Sequence, residues 1–213
     1  MMQDEEMRAR PITTERLIED LADRIAAYSR QDWVRVAVDG APATHPADLA
    51  DALVEPLRVR GRGTLRVSSW DFLRPASLRF EYGKQDPDAY YDDWLDANAL
   101  TREVLAPLDP GGSGKVLPKL WDPVKDRATR TPYTMVAPGT ILLLDGTLLL
   151  GRWLPLEFTV HLRLSPAALE RRVTDAWTIP AFLRYEQEVA PASVADVAVS
   201  VDRPHHPALI EEP

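Results

Sequence analysis

The chain has 213 residues, a mass of 23.9 kDa, no cysteine and a formal charge of −8, from 25 Lys and Arg against 33 Asp and Glu. Hydrophobic content of 45% and charged content of 27% exclude a disordered or fibrous chain. Without cysteine there is no disulfide framework, thiolate metal site or cysteine nucleophile. An acidic surface repels polyanions, which speaks against nucleic acid and anionic membranes as partners, and the lack of cysteine fits a reducing cytoplasm.

In chain order, residues 1–12 are polar, carry no apolar segment of the signal-peptide kind, and read as a frayed end. Leu17, Leu21 and Ile25 recur every four residues and predict a helix over about 14–30, capped by Thr13 or Thr14. Trp33 to Val38 is a β-branched strand ending at Asp39-Gly40. Pro46 at a first-turn position, then Leu49, Leu53 and Leu57, predict a second helix that Gly61-Arg62-Gly63 ends. Thr64 to Ser68 reads as a strand. Residues 69–135 are rich in proline and aromatics, with a helix over Ala97–Leu105 capped by Asp96. Ile141–Leu144 is the most apolar strand, and it is too short to span a bilayer. Phe158–Leu164 is a further strand, Pro166–Arg172 a helix, Tyr185 lies in another helix, and Ala195–Val201 is a last strand before a loose tail from Arg203. Continuous apolar strands alternating with helices indicate an α/β fold: three layers, doubly wound, with a mainly parallel sheet.

In such sheets ligands bind beyond the carboxyl ends of the strands, so the turn after the first strand matters most. It reads Gly40-Ala41-Pro42-Ala43-Thr44-His45-Pro46-Ala47, in the frame of a phosphate-binding G-x-x-x-x-G-K-[ST] loop. This stretch resembles the opening of the uridine kinase family of P-loop kinases. Ser68 to Pro75 is similar to the family's Asp-Asp-Phe-Tyr segment, Asp86 to Trp94 to its acidic-aromatic stretch, Leu120 to Pro123 to its Tyr-Asp pair, Leu144-Asp145-Gly146 to its Glu-Gly, Arg171-Arg172-Val173 to its lid arginines, and Ala195 to Val199 to its last strand. The resemblance implies five core strands in a domain over 31–203, flanked by an N-terminal extension with its helix (1–30) and a tail (204–213). It implies nucleotide contacts at Gly40, Ala43, Thr44, His45, Arg171 and Arg172, and substrate contacts at Gln85, Tyr90, Trp121 and Asp122. By the same resemblance Asp71 is the nearest candidate for the acid that activates the acceptor hydroxyl, Asp145 a candidate for Mg²⁺, and Mg-ATP the cofactor of an active member.

The departures fall on the chemistry. His45 stands where the second glycine belongs, and a β-carbon resists that backbone conformation, so the cradle is disfavoured. Pro46 replaces the lysine, removing a charge and an N–H donor; Ala47 replaces the metal-binding hydroxyl; Pro42 removes another donor. Losing one transition-state donor costs about 3–4 kcal/mol. Trp70 takes the position of the activating acid, Gln85 that of the ribose-reading acid, and the lid is cut short after Arg172.

Other features have two readings each. Gly111-Gly112-Ser113-Gly114-Lys115 mimics a phosphate loop but follows no strand; it reads as a turn, with Lys115 reaching a ligand as the alternative. Asp86, Asp88, Asp92, Asp93 and Asp96 are a solvated, helix-capping group or a cation site. Tyr90, Tyr91, Trp94 and Trp121 are packing or a base-stacking wall. His45 is a helix start or an anion contact, Asp145 a strand-end turn or a metal ligand, Asp39 a cap or part of the crevice, and His161 a sheet-face residue. Function divides accordingly. The preferred reading is a catalytically impaired relative that binds a nucleoside or nucleotide and acts by binding or scaffolding, with a second copy or another protein as partner. The alternative is an active ATP-dependent uridine or cytidine kinase with relocated groups such as Lys115, Arg171 and Asp71.

Overall fold

A computed structural model describes residues 8–203 and 205–211; the sequence readings for 1–7, 204, 212 and 213 lie outside the described residues. Seven strands form the main sheet: β1 (Arg8–Pro11), β2 (Val34–Gly40), β3 (Thr64–Ser68), β4 (Ile141–Gly146), β5 (Phe158–Arg163), β6 (Val197–Ser200) and β7 (Ala208–Glu211). Their order is β1-β7-β6-β5-β2-β4-β3. The five strands from β3 to β6 run parallel, as expected. The two added strands correct the sequence reading at both ends. Residues 8–11, read as frayed, and 208–211, read as loose, pair antiparallel, and β7 also pairs with β6.

The strands alternate between two covered faces. Val34, Val36, Val38, Ile141 and Leu143 pack against the helices α1 (Thr14–Ala26), α2 (Pro46–Ala52) and α3 (Val54–Val59). Ala37, Leu142 and Leu144 face a second cluster containing Phe72, Leu100, Val104, Leu105 and Leu149. Because both faces are buried, β4 reads as an unbroken apolar run over Ile141–Leu144, and β2 is apolar but for the buried Arg35 and Asp39. Thr13 caps α1 by accepting the Arg16 N–H, and Pro46 opens α2.

The helix predicted over Ala97–Leu105 is α-helical only over Ala97–Leu100 and widens to a π-turn over Thr101–Leu105. Its carbonyls are taken from outside: Glu103 O accepts the Leu117 N–H, and Leu105 O accepts Arg35 Nη1. Two short antiparallel ladders, Lys115–Val116 with Thr134–Met135 and Trp121–Asp122 with Arg127–Ala128, lie outside the main sheet. Among the described residues no helix is long and apolar enough to cross a membrane.

Candidate functional site

The turn after β2 folds onto itself. Pro42–Thr44 is a single 3₁₀ turn, in which the Thr44 N–H bonds Ala41 O at 2.8 Å and the His45 N–H bonds Pro42 O at 3.1 Å. The buried Thr44 hydroxyl donates to Ala41 O at 2.7 Å and so points away from any ligand. With Pro42 and Pro46 carrying no N–H, four residues of the loop present no free amide to a phosphate. Gly40 is obligatory here, since an added β-carbon would lie 2.4 Å from Thr44 Oγ1 and 3.0 Å from Leu162 Cβ.

His45 departs from the sequence expectation. It adopts the left-handed conformation, φ 55° and ψ 57°, that a β-carbon was expected to resist. Histidine is among the residues that tolerate this region best, and the His45 N–H to Pro42 O and Asp48 N–H to His45 O bonds hold it on both sides. The glycine-like backbone turn therefore survives without the glycine. The imidazole makes no cap to α2; it is exposed, with Nδ1 4.0 Å from Asp48 Oδ2.

Arg172, expected on the nucleotide, instead holds the loop. One of its nitrogens donates to Ala43 O at 2.5 Å and another to Val201 O. The guanidinium thus ties the end of the helix Pro166–Arg172 to the loop and to the segment after β6. Arg171, one residue earlier, is exposed. Asp145, expected on magnesium, is engaged at both oxygens: Oδ1 accepts Arg66 Nη2 at 2.7 Å and Oδ2 accepts the Ser68 hydroxyl at 2.8 Å. A carboxylate neutralised by arginine is a poor ligand for a hard cation, so loop and carboxylate together do not fit Mg-ATP. Asp71 is paired with Lys119 Nζ at 2.7 Å.

Gln85 is exposed before the helix Pro87–Asp92. Trp121 and Asp122 belong to a hairpin. Trp121 Nε1 donates to Asp126 Oδ1, and Asp122 accepts the Val124 and Lys125 amides, which hold its carboxyl below the usual range. Lys115 sits on its short strand with Nζ 4.9 Å from the Tyr133 ring centroid.

What the fold does bring together is a crevice of about 860 Å³ beside the loop. Ala43, His45, Tyr90 and Arg172, four of the residues expected on ligand, line it, along with Trp70, Trp94 and Trp177. Tyr90, Trp94 and Trp177 form a mutually packed trio, with ring centroids 4.9 Å (Tyr90–Trp94), 5.4 Å (Tyr90–Trp177) and 5.7 Å (Trp94–Trp177) apart. Burial pushes the Tyr90 phenol up to about 12. Trp70, 48% exposed, is not part of the trio. Gln85, Trp121 and Asp122 are not among the residues lining this crevice.

A buried polar network behind the loop escaped the sequence reading. Asp39, fully buried at the end of β2, accepts from Tyr185 at 3.1 Å and from the Leu149 N–H at 2.9 Å, and lies 2.7 Å from His161 Nδ1. The Tyr185 hydroxyl in turn accepts the Leu150 N–H at 2.9 Å, and its pKa is raised by burial and by the Asp39 charge. His161 is on a sheet face, as read, but as the partner of Asp39. Asp39 and His161 are directly paired across β2 and β5, 122 residues apart in sequence, so only the strand register brings them together.

No family model and no curated protein matches the chain. Solved structures do. A possible uridine kinase from Bacillus stearothermophilus superposes with a TM-score of 0.70 at 20% identity, over 85% of this chain and 96% of that one. A protein from Silicibacter sp. TM1040, assigned as a putative fructose transport system kinase, gives 0.58 at 22% identity over 87% and 90%. The YGR205w protein gives 0.59 at 11% identity over 94% and 100%. The chain has the fold of the uridine-kinase-like P-loop kinases.

Proposed function

We propose that this chain is a diverged relative of the nucleoside kinases that has kept the crevice and given up phosphoryl transfer, binding a nucleoside-type planar ligand and acting by binding or scaffolding. The observation that carries this is the state of the loop. At four of its positions the amide is absent or turned inward, and its lid arginine is fastened to Ala43 O. Phosphoryl transfer rests on positioned charges and donors around the γ-phosphate, and the groups at those positions here are imidazole, a proline ring and a methyl. The fit of Asp145 to Arg66 and Ser68 points the same way. A cavity of about 860 Å³ with aromatic walls is of the size and lining that small-molecule sites have. We place the protein in the cytoplasm on its lack of cysteine.

The active-kinase alternative relies on Lys115, Arg171 and Asp71, and the geometry does not favour it. Lys115 lies over Tyr133 and Asp71 is paired with Lys119, while none of the three residues lines the crevice. A thermal-shift panel separates the readings. Uridine or cytidine is expected to raise the melting temperature, and Mg-ATP at millimolar concentration to leave it unchanged. A rise of several degrees with Mg-ATP, or turnover of ATP dependent on either nucleoside, overturns the proposal.

A further inference from the structure

The charge around the crevice bears on what enters it. Among the described residues Arg172 is the one Lys or Arg side chain lining it, and its guanidinium is directed onto two backbone carbonyls. The carboxylates are differently placed. Asp48 has an 82% exposed side chain, with Oδ2 4.0 Å from the His45 Nδ1. Asp175 forms no ion pair among the described residues, and its charge reaches the aromatic trio, adding to the upward push on the Tyr90 phenol. Arg172 keeps its charge when bonded to neutral carbonyls, so among the Asp, Glu, Lys and Arg side chains of this wall two carboxylates stand against one guanidinium, a negative balance on a chain already at −8. A tri-, di- or monophosphate meets an opposing field there.

The rings add the second condition. Trp70, Tyr90, Trp94 and Trp177 all line the crevice. In the trio Tyr90 meets both indoles edge to face and the Arg79 guanidinium already lies over the Trp94 ring, 5.1 Å from its centroid, whereas Trp70 is half exposed and makes no ring contact with the trio. Aromatic faces carry negative potential and attract cations, tryptophan most strongly. The half-exposed Trp70 indole combined with the exposed carboxylates of Asp48 and Asp175 selects a flat ring bearing positive charge, for which both features act in the same direction. A neutral base gains only the stacking.

We infer that the crevice prefers a planar cationic ligand, of the class of N-alkylated heteroaromatic rings, over neutral nucleosides, and rejects their phosphate esters. This rests on the reading of the crevice as a small-molecule site, and it deepens that reading by naming the charge of the ligand.

The test is calorimetric titration of the full chain with four probes: 1-methylnicotinamide (methylated at the ring nitrogen), nicotinamide, uridine and UMP. The first two differ by one methyl and one positive charge. The expected result is about tenfold tighter binding of 1-methylnicotinamide than of nicotinamide, with UMP weakest. The gap between the first two should shrink several-fold in Asp175→Asn and again in Trp70→Leu. Both are exposed positions whose replacement leaves the packed trio intact. Equal or weaker binding of the cation overturns the inference. If uridine binds more tightly than the cation, the inference falls while the nucleoside reading stands. If the cation binds and uridine does not, the nucleoside reading falls and the inference stands. Binding of none of the four at millimolar concentration overturns both.

Discussion

The carboxylate of Asp39 stands 2.7 Å from Nδ1 of His161, and both side chains are buried. The pair joins the end of β2 to β5 directly behind the loop that follows β2, and Asp39 also holds the Leu149 N–H and the Tyr185 hydroxyl. A buried charge with this many partners is expensive to leave incomplete.

Replacing Asp39 by Ala strands three groups at once and should lower stability by about 3–5 kcal/mol. Tyr185→Phe removes the acceptor of the Leu150 N–H and one donor to Asp39, and should cost about 1–2 kcal/mol. Denaturant unfolding of each variant and of the double variant measures both terms and their coupling. A loss below about 1 kcal/mol for Asp39→Ala would mean that the network does not hold this end of the sheet.

Arg172 fastens the loop through Ala43 O and Val201 O. Arg172→Ala should therefore speed amide hydrogen exchange at Thr44 and His45 by at least about tenfold, at a global cost of only about 1–2 kcal/mol. Arg172→Lys should restore only part of the protection, since a lysine cannot span the two carbonyls with a fixed fork. Unchanged exchange in Arg172→Ala would free the arginine for another role.

The loop itself offers a graded test. His45 occupies a left-handed conformation that costs an L-residue about 1–2 kcal/mol, so His45→Gly should raise stability by a fraction of that, the remainder being lost to the freer unfolded chain. The triple change His45→Gly, Pro46→Lys, Ala47→Thr should raise ATP affinity measurably, because the backbone turn is already present. It should not give turnover, because Asp145 stays with Arg66 and Ser68. Turnover by the triple variant would show that the loop alone had been limiting.

The parts of the fold that are legible in the sequence share a common reason. Ile141–Leu144, Thr64–Ser68 and Pro166–Arg172 carry strong local patterns, and the loop substitutions are local as well. What escapes such a reading depends on residues distant in sequence. β1 and β7 are four residues each, with a proline in the first, and each finds its partner at the other end of the chain, where no turn announces a hairpin. Trp177 joins the aromatics Tyr90 and Trp94 only through the tertiary fold, as its packing on both rings shows. The left-handed His45 runs against its propensity because the hydrogen bonds on either side outweigh it.

The terminal pairing can be weighed directly. Ile12, just beyond β1, is buried in the same cluster as Leu17, Val199 and Phe158. Ile12→Ala should lower stability by about 2–4 kcal/mol, whereas a frayed terminus predicts no change. Denaturant midpoints at constant slope separate the two outcomes.

Alkaline conditions probe the floor of the crevice. The Tyr90 phenol is pushed up to about 12 by burial, from an ordinary value of 10.0 in the unfolded chain. Above about pH 10 the unfolded state gives up this proton while the folded state retains it, so ∂ΔG/∂pH is negative and stability falls as pH rises. The decline from Tyr90 alone should approach about 1.4 kcal/mol per pH unit and level off above about pH 12, after a total of roughly 2–3 kcal/mol. Tyr185, raised further still, acts with the same sign. Tyr90→Phe should remove one tyrosine's share of the slope while leaving stability near neutrality lowered by only about 1 kcal/mol. Lysine and arginine titration is common to both proteins, so the difference between them isolates the phenol. Parallel pH profiles for the two would place Tyr90 in contact with solvent and open the aromatic floor.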